Sequence, residues 1–237
     1  DRPLSELDVI RENEPPMWMR KQSVSRISID PRITGEGNTS KLKLRKNIKK
    51  LLKDHLEEYG FVQVQARIVE RKIGDFLYQG LEFQPGTGRL KGSLTINVYW
   101  TFCYIERERG VYDSNKRIGE IKGEGYDWFP VTDELVDESF EKITEAINSH
   151  IIPYFESYNT IEKIVEAYEK GELPEKRTFG TWPSWESFNR GYSYLMLGKK
   201  DRAKKEFIDV LHKYSDDETN DGIKRRRIFV ENILDKV

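Results

Sequence analysis

Between residues 92 and 105 the chain reads GSLTINVYWTFCYI, and its two kinds of position alternate strictly. Leu94, Ile96, Val98, Trp100, Phe102 and Tyr104 fall on one side of an extended chain; Thr95, Asn97, Tyr99, Thr101 and Cys103 fall on the other. A run of that length, rich in β-branched and aromatic residues and opened by glycine, predicts the central strand of an antiparallel sheet. The apolar side belongs on a core. The mixed side is left to face solvent, a second layer or a partner.

Period two governs the surrounding stretch, from Gly60 to Val131. FVQVQARIVER puts Val62, Val64, Ala66 and Ile68 on one side of a strand, and FLYQGLEFQ follows Gly74-Asp75 and ends at the glycine-rich turn Pro85-Gly86-Thr87-Gly88. Beyond the central strand, Glu106 to Gly110 make a turn. Residues 116–121 (KRIGEI) then read as a short strand, and residues 123–130, with Gly123, Gly125, Tyr126, Asp127, Trp128 and Phe129, as a loop. Short sequential strands with tight turns and no helix between them predict an antiparallel meander.

Helical spacing flanks this region on both sides. Upstream, Ser40 is a good N-cap, and Leu44, Ile48, Leu51, Leu52, His55, Leu56 and Tyr59 recur every three or four residues until Gly60. Downstream, Thr132 and Asp133 start a helix whose stripe is Leu135, Phe140, Ile143, Ala146, Ile147 and Ile151, with Pro153 kinking or restarting it. Another helix places Ile161, Ile164, Val165 and Tyr168 inward and ends at Gly171 and Pro174.

Residues 174–237 are helical again, and Gly191, Tyr194, Gly198, Ala203, Phe207 and Val210 have the spacing of a tetratricopeptide helix pair. In it Gly191 lets the helices approach and Gly198 turns the chain. Helix limits near 185–197 and 201–212 follow, then a capping helix with Ile223, Ile228, Val230, Ile233 and Leu234. A single pair is too short for the usual concave array. It serves either as a structural cap on the preceding domain or as a protein-docking module. Residues 1–38 form an arm, with a short strand at 23–30 and an apolar anchor at Met17-Trp18-Met19.

Composition narrows the class. At 37% hydrophobic and 34% charged residues, the chain of 237 is a globular protein with a highly charged surface. Forty basic and forty-one acidic side chains leave a net charge of −1, which argues against a general nucleic-acid or membrane-surface binder. One cysteine, Cys103, excludes an internal disulfide and points to a reducing, cytoplasmic compartment. No apolar run reaches the roughly 18–20 residues that span a bilayer.

Charge is nonetheless uneven. Lys41, Lys43, Arg45, Lys46, Lys49, Lys50 and Lys53 precede the first acid, Asp54, although the helix dipole favours acids at that end. Either this face pairs with acidic helices elsewhere, or it meets an acidic protein or a phosphate backbone.

The order of motifs resembles a known family. A helix ending in Gly60-Phe61 is followed by GDFLYQGLEFQ, then Leu94 to Val98, Arg117 to Glu120 and Asp127 to Pro130, and a helix running into Ile-Pro-Tyr-Phe-Glu. Over residues 42–170 this resembles the bacterial domain-of-unknown-function family numbered 4304. Against the family pattern, the segment from Cys103 to Arg117 is short and the strand after Gly60 is long. The resemblance implies an α+β domain without established chemistry and, for some members, a suspected link to toxin-immunity gene clusters. It supplies no catalytic residues.

No catalytic pattern stands out in the residues themselves. His55, His150 and His212 lie on separate helices without HxxxH, HExxH or CxxC partners, so no metal site is expected. Cys103 reads as an inert residue in mid-strand. Gly86-Thr87-Gly88 joins two strands, which is a hairpin turn and not a phosphate loop. Asp127, Asp133 and Glu134 cluster near Tyr126, but N-capping by Asp133 accounts for one of them. No cofactor is expected.

The expectation is therefore an α+β protein: an antiparallel β-meander with flanking helices (residues 39–173), an N-terminal arm (1–38) and an all-helical tetratricopeptide-like cap (174–237). Its expected role is non-enzymatic protein binding, of the immunity or antitoxin-like kind that occludes a partner. Anchors would come from Tyr126, Trp128, Phe129, Arg117, Trp182 and Trp185, with Lys46, Lys49 and Lys50 on the basic helix. The alternative is a nucleic-acid-associated accessory module using helix 41–53 with Tyr99 and Tyr104 on a sheet face.

Overall fold

The structure, a computed structural model, describes residues 30–35, 41–103, 114–123, 128–173, 185–213 and 221–234. Among them one antiparallel sheet contains β1 (Val62–Gln65), β2 (Ile68–Ile73), β3 (Leu77–Pro85), β4 (Ser93–Phe102), β5 (Ser114–Arg117) and β6 (Phe129–Pro130). The order is β1-β2-β3-β4-β5, and β6 pairs with the start of β4. The helices are α1 (Lys41–Leu51), α2 (Ile118–Lys122), α3 (Val136–Ala146), α4 (Ile152–Glu156), α5 (Ile161–Glu169), α6 (Trp185–Met196), α7 (Lys200–Lys213) and α8 (Asp221–Leu234). The fold is α+β.

The strand predicted by strict alternation is the middle of the sheet. Every residue of β4 is buried. Leu94, Ile96 and Val98 join Val69, Leu81 and Phe83 under two helical covers: Leu44, Ile48 and Leu51 of α1, and Val136, Phe140 and Ile143 of α3. Phe83 and Phe140 stack at 6.3 Å. Farther along β4, Trp100 and Phe102 pack with Tyr158, Ile161, Ile164 and Tyr168. Burying this apolar set is the main favourable term for the domain.

The C-terminal helices share that core. α5 supplies Ile164 to the cluster on β4 and Val165 to a third cluster with Phe188, Tyr194, Ala203, Phe207, Val210 and Val230. Tyr192 of α6 meets Phe102 edge-on at 5.9 Å. A Cβ at Gly191 would lie 2.8 Å from the Phe207 ring, so the close approach of α6 and α7 depends on glycine, as its spacing predicts. Gly198 turns the chain at φ 68°. In α8, Val230 is buried but Ile228 is 57% exposed; Phe229 packs inward in its place.

Several boundaries differ from the sequence expectation. FVQVQARIVER is not one strand but the hairpin β1–β2, turning at Ala66-Arg67 with an irregular register between Gln63 and Gln65. The strand expected through Ile121 stops at Arg117, where the backbone N–H donates to the Glu120 carboxylate at 2.5 Å and α2 begins. The loop ending at Pro130 closes as β6 on β4. α3 starts at Val136 with no side-chain cap, so Asp133 does not serve as N-cap; the Val136 amide donates to the Thr132 carbonyl.

Both long helical stretches contain a widened π-type turn, at Leu52–Leu56 and at Ile147–Ile151. The second runs without a break into α4, which has Pro153 in its first turn, just past the widened turn. The first stretch ends at Gly60, which is left-handed at φ 83°. Ser40, the strand expected at 23–30 up to Asp30, and the anchor at 17–19 lie outside the described residues.

Candidate functional site

α1 is apolar on one stripe and cationic on the rest. Leu44, Ile48 and Leu51 are buried, and Lys41, Arg45, Lys46, Lys49, Lys50 and Lys53 are exposed. The acids of α3 that face this helix are already engaged. Asp137 pairs with Lys43 at 3.7 Å and accepts from Asn47 at 3.1 Å. Lys43 also donates to the Asp133 carbonyl.

Glu138, beside Asp137, accepts from Lys142 at 2.7 Å and, with both carboxylate oxygens, from Arg32 Nη1 at 3.1 Å. These hydrogen bonds, from Lys142 first and then Arg32, hold its carboxyl below the usual range. Arg32 likewise lowers the Asp30 carboxyl, donating from Nη2 at 2.8 Å. Pairing across to α3 therefore takes up Lys43 alone. Among the described residues Lys46, Lys49 and Lys50 have no ion pair. The basic helix keeps its charge at the surface.

Apolar side chains are exposed at both ends of this helical stretch. Val62 is 60% exposed and Val64 47%, both on β1, and Leu42 of α1 is 78% exposed. β1 has one strand neighbour among the described residues, β2, so it is an edge.

The sheet side opposite the helices is mainly polar, with Glu70, Thr95, Asn97 and Tyr99 buried on it. Across β2, β3 and β4, Glu70, Gly80 and Tyr99 stand in one row, and the Tyr99 hydroxyl donates to the Glu70 carboxylate. In the next row, Asn97 donates to Glu82 at 3.2 Å and to Gln84 at 2.9 Å. Arg117 stands beside Asn97 in register, half-buried, with its guanidinium 5.5 Å from the Trp128 ring centre. The indole N–H of Trp128 and the hydroxyl of Thr95 are buried without a hydrogen-bond partner.

The anchors expected from sequence therefore part company. Trp128 is buried on the polar side, and Phe129 sits in the main core. Both are held inside by the β6–β4 pairing, so neither offers a ring to the surface. Trp185 opens α6; its side chain, like Tyr126, Trp182, Tyr104 and Asp127, lies outside the described residues. Tyr99 is fully buried, which removes it as a stacking platform. Cys103 falls just past β4 and is half-buried.

Among the described residues no three histidine, cysteine or acidic side chains are grouped to hold a metal ion, and no helix is long and apolar enough to cross a membrane. Sequence reasoning missed the buried pair Arg71–Gln79 on the helical side of the sheet. Arg71 donates to Gln79 at 2.8 Å and to Glu156 at 2.7 Å, and Gln79 donates to the Phe155 carbonyl at 2.8 Å. An arginine and a glutamine on the core side of alternating strands were the available signal. Compared with protein-family models, curated proteins and solved structures, the chain matches none.

Proposed function

We propose that this chain is a non-enzymatic binding protein that docks an acidic protein through α1 and occludes it, in the manner of an immunity or antitoxin-like protein. One observation carries the reading. Lys46, Lys49 and Lys50 stand exposed and unpaired among the described residues, in a chain whose net charge is only −1. A local cationic face on a neutral background steers an oppositely charged partner and sets its register.

The neighbouring surface favours a protein over a phosphate backbone. Exposed Val62, Val64 and Leu42 supply apolar area of the kind a protein interface covers, and the β1 edge offers backbone groups for an added strand. The nucleic-acid alternative loses a stacking residue with the burial of Tyr99. The resemblance to family 4304, with its suspected toxin-immunity links, supports the occluding role.

The test is a nuclease-treated pull-down from cells of the source organism at two salt concentrations. One stoichiometric protein that persists at the higher salt supports the reading. Recovery in untreated extract of nucleic acid alone, lost as salt rises, overturns it.

A further inference from the structure

Beside the first turns of α1, the β1–β2 turn, the β3–β4 hairpin and Val131 after β6 line a pocket of about 540 Å³. Its apolar wall is Leu44 of α1, Pro85 of β3 and Val131 after β6; its rim is Lys41, Arg45, Arg67 and Lys91. Every ionisable side chain that lines it is a cation. Each of the four is exposed, and among the described residues none has a hydrogen-bonded or ionic partner.

The pocket is built, not incidental. Gly86 and Ser93 close the β3–β4 hairpin on its wall, with the Gly86 amide donating to the Ser93 carbonyl at 2.9 Å and the Ser93 hydroxyl to the Leu90 carbonyl at 2.5 Å. A Cβ at Gly86 would meet the Leu90 oxygen at 2.1 Å, so only glycine fits there. The volume is in the range that takes a small organic molecule. Four cations lining one pocket suit a doubly charged group better than a single carboxylate, and arginine forks match phosphate oxygens.

We infer that this pocket binds a small organic phosphate, its phosphate among Lys41, Arg45, Arg67 and Lys91 and its apolar body against Leu44, Pro85 and Val131. The site is separate from the docking face: Lys46, Lys49 and Lys50 do not line it. Arg67 and Lys91, which are not on α1, therefore test ligand binding without altering the three docking lysines.

The probe is 1-naphthyl phosphate, titrated calorimetrically into the full chain, with inorganic phosphate and 1-naphthol as the two halves of the ligand. The full probe is expected to bind about tenfold tighter than either half, since charge and apolar contact both count only when joined. Arg67→Glu with Lys91→Glu should weaken it at least about tenfold by placing like charge at the phosphate. Ala66→Trp, which fills the mouth without touching a charge, should weaken it as well; thermal unfolding confirms that both variants are folded. The inference is overturned by the absence of saturable binding, by a probe that binds no better than inorganic phosphate or naphthol, or by variants that bind like the wild type.

Discussion

The phenol of Tyr99 donates to the carboxylate of Glu70 across the bare backbone of Gly80. The three residues share one row of the sheet, on β4, β2 and β3, and all are buried. A Cβ built on Gly80 would lie 2.3 Å from Tyr99 Cζ. The glycine in the middle of β3 is thus the space through which one strand reaches the next but one, which offsets the usual cost of glycine in a strand.

Gly80→Ala should therefore destabilise the chain, because the methyl displaces the tyrosine ring from a closed site. A loss of about 1–3 kcal/mol in urea unfolding is expected, as for other overpacked cores. Tyr99→Phe keeps the ring and loses only the hydroxyl, at about 1–2 kcal/mol. If Gly80→Ala unfolds at the wild-type midpoint, the ring does not occupy that space.

On the opposite side of the sheet, Gln79 bridges Arg71 of β2 to the backbone of α4. Removing it leaves a buried guanidinium N–H and the Phe155 carbonyl short of a partner. Gln79→Ala should cost about 2–4 kcal/mol. Glu156→Gln, at the exposed end of the same network, should cost well under half of that. Equal losses for the two variants would contradict the buried bridge.

Acid should weaken the link between residues 30–32 and α3. Arg32 lowers the Asp30 carboxyl, and Lys142 and Arg32 lower that of Glu138. A depressed folded value contributes stability above the ordinary carboxylate range and loses it as pH falls through the depressed values. Stability should thus fall below about pH 4. Asp30→Asn should be less stable than wild type at pH 7 and lose less between pH 7 and pH 3. Parallel losses in the two proteins, read from urea midpoints, would remove Asp30 from the account.

What the sequence made legible was periodic. Strict alternation placed β4, helical spacing placed α1 and the α6–α7 pair, and Gly191 and Gly198 announced a close approach and a turn. Ends were less legible because tertiary pairing decides them. Ala66-Arg67 carries no glycine or proline, yet turns β1 back on β2; Ile118, a good strand residue, goes into a helix because Glu120 caps it. Two of the expected anchors, Trp128 and Phe129, are buried for a related reason. Trp128 and Phe129 sit in a glycine-containing segment that reads as an exposed loop, but pairing with β4 draws both inside. The run of basic residues in α1 was legible, but not its pairing: Asp137 of α3 takes Lys43, and Glu138 is held by Arg32 and Lys142.

The central claim is that Lys46, Lys49 and Lys50 hold a protein partner. Its most direct measurement is a pull-down with two baits side by side, wild type and the Lys46→Glu, Lys49→Glu, Lys50→Glu variant, quantified by mass spectrometry. These side chains are exposed, so the variant should unfold within about 0.5 kcal/mol of wild type. The account predicts one stoichiometric acidic protein on the wild type, depleted at least about tenfold on the variant. The same protein retained equally by both baits would contradict it.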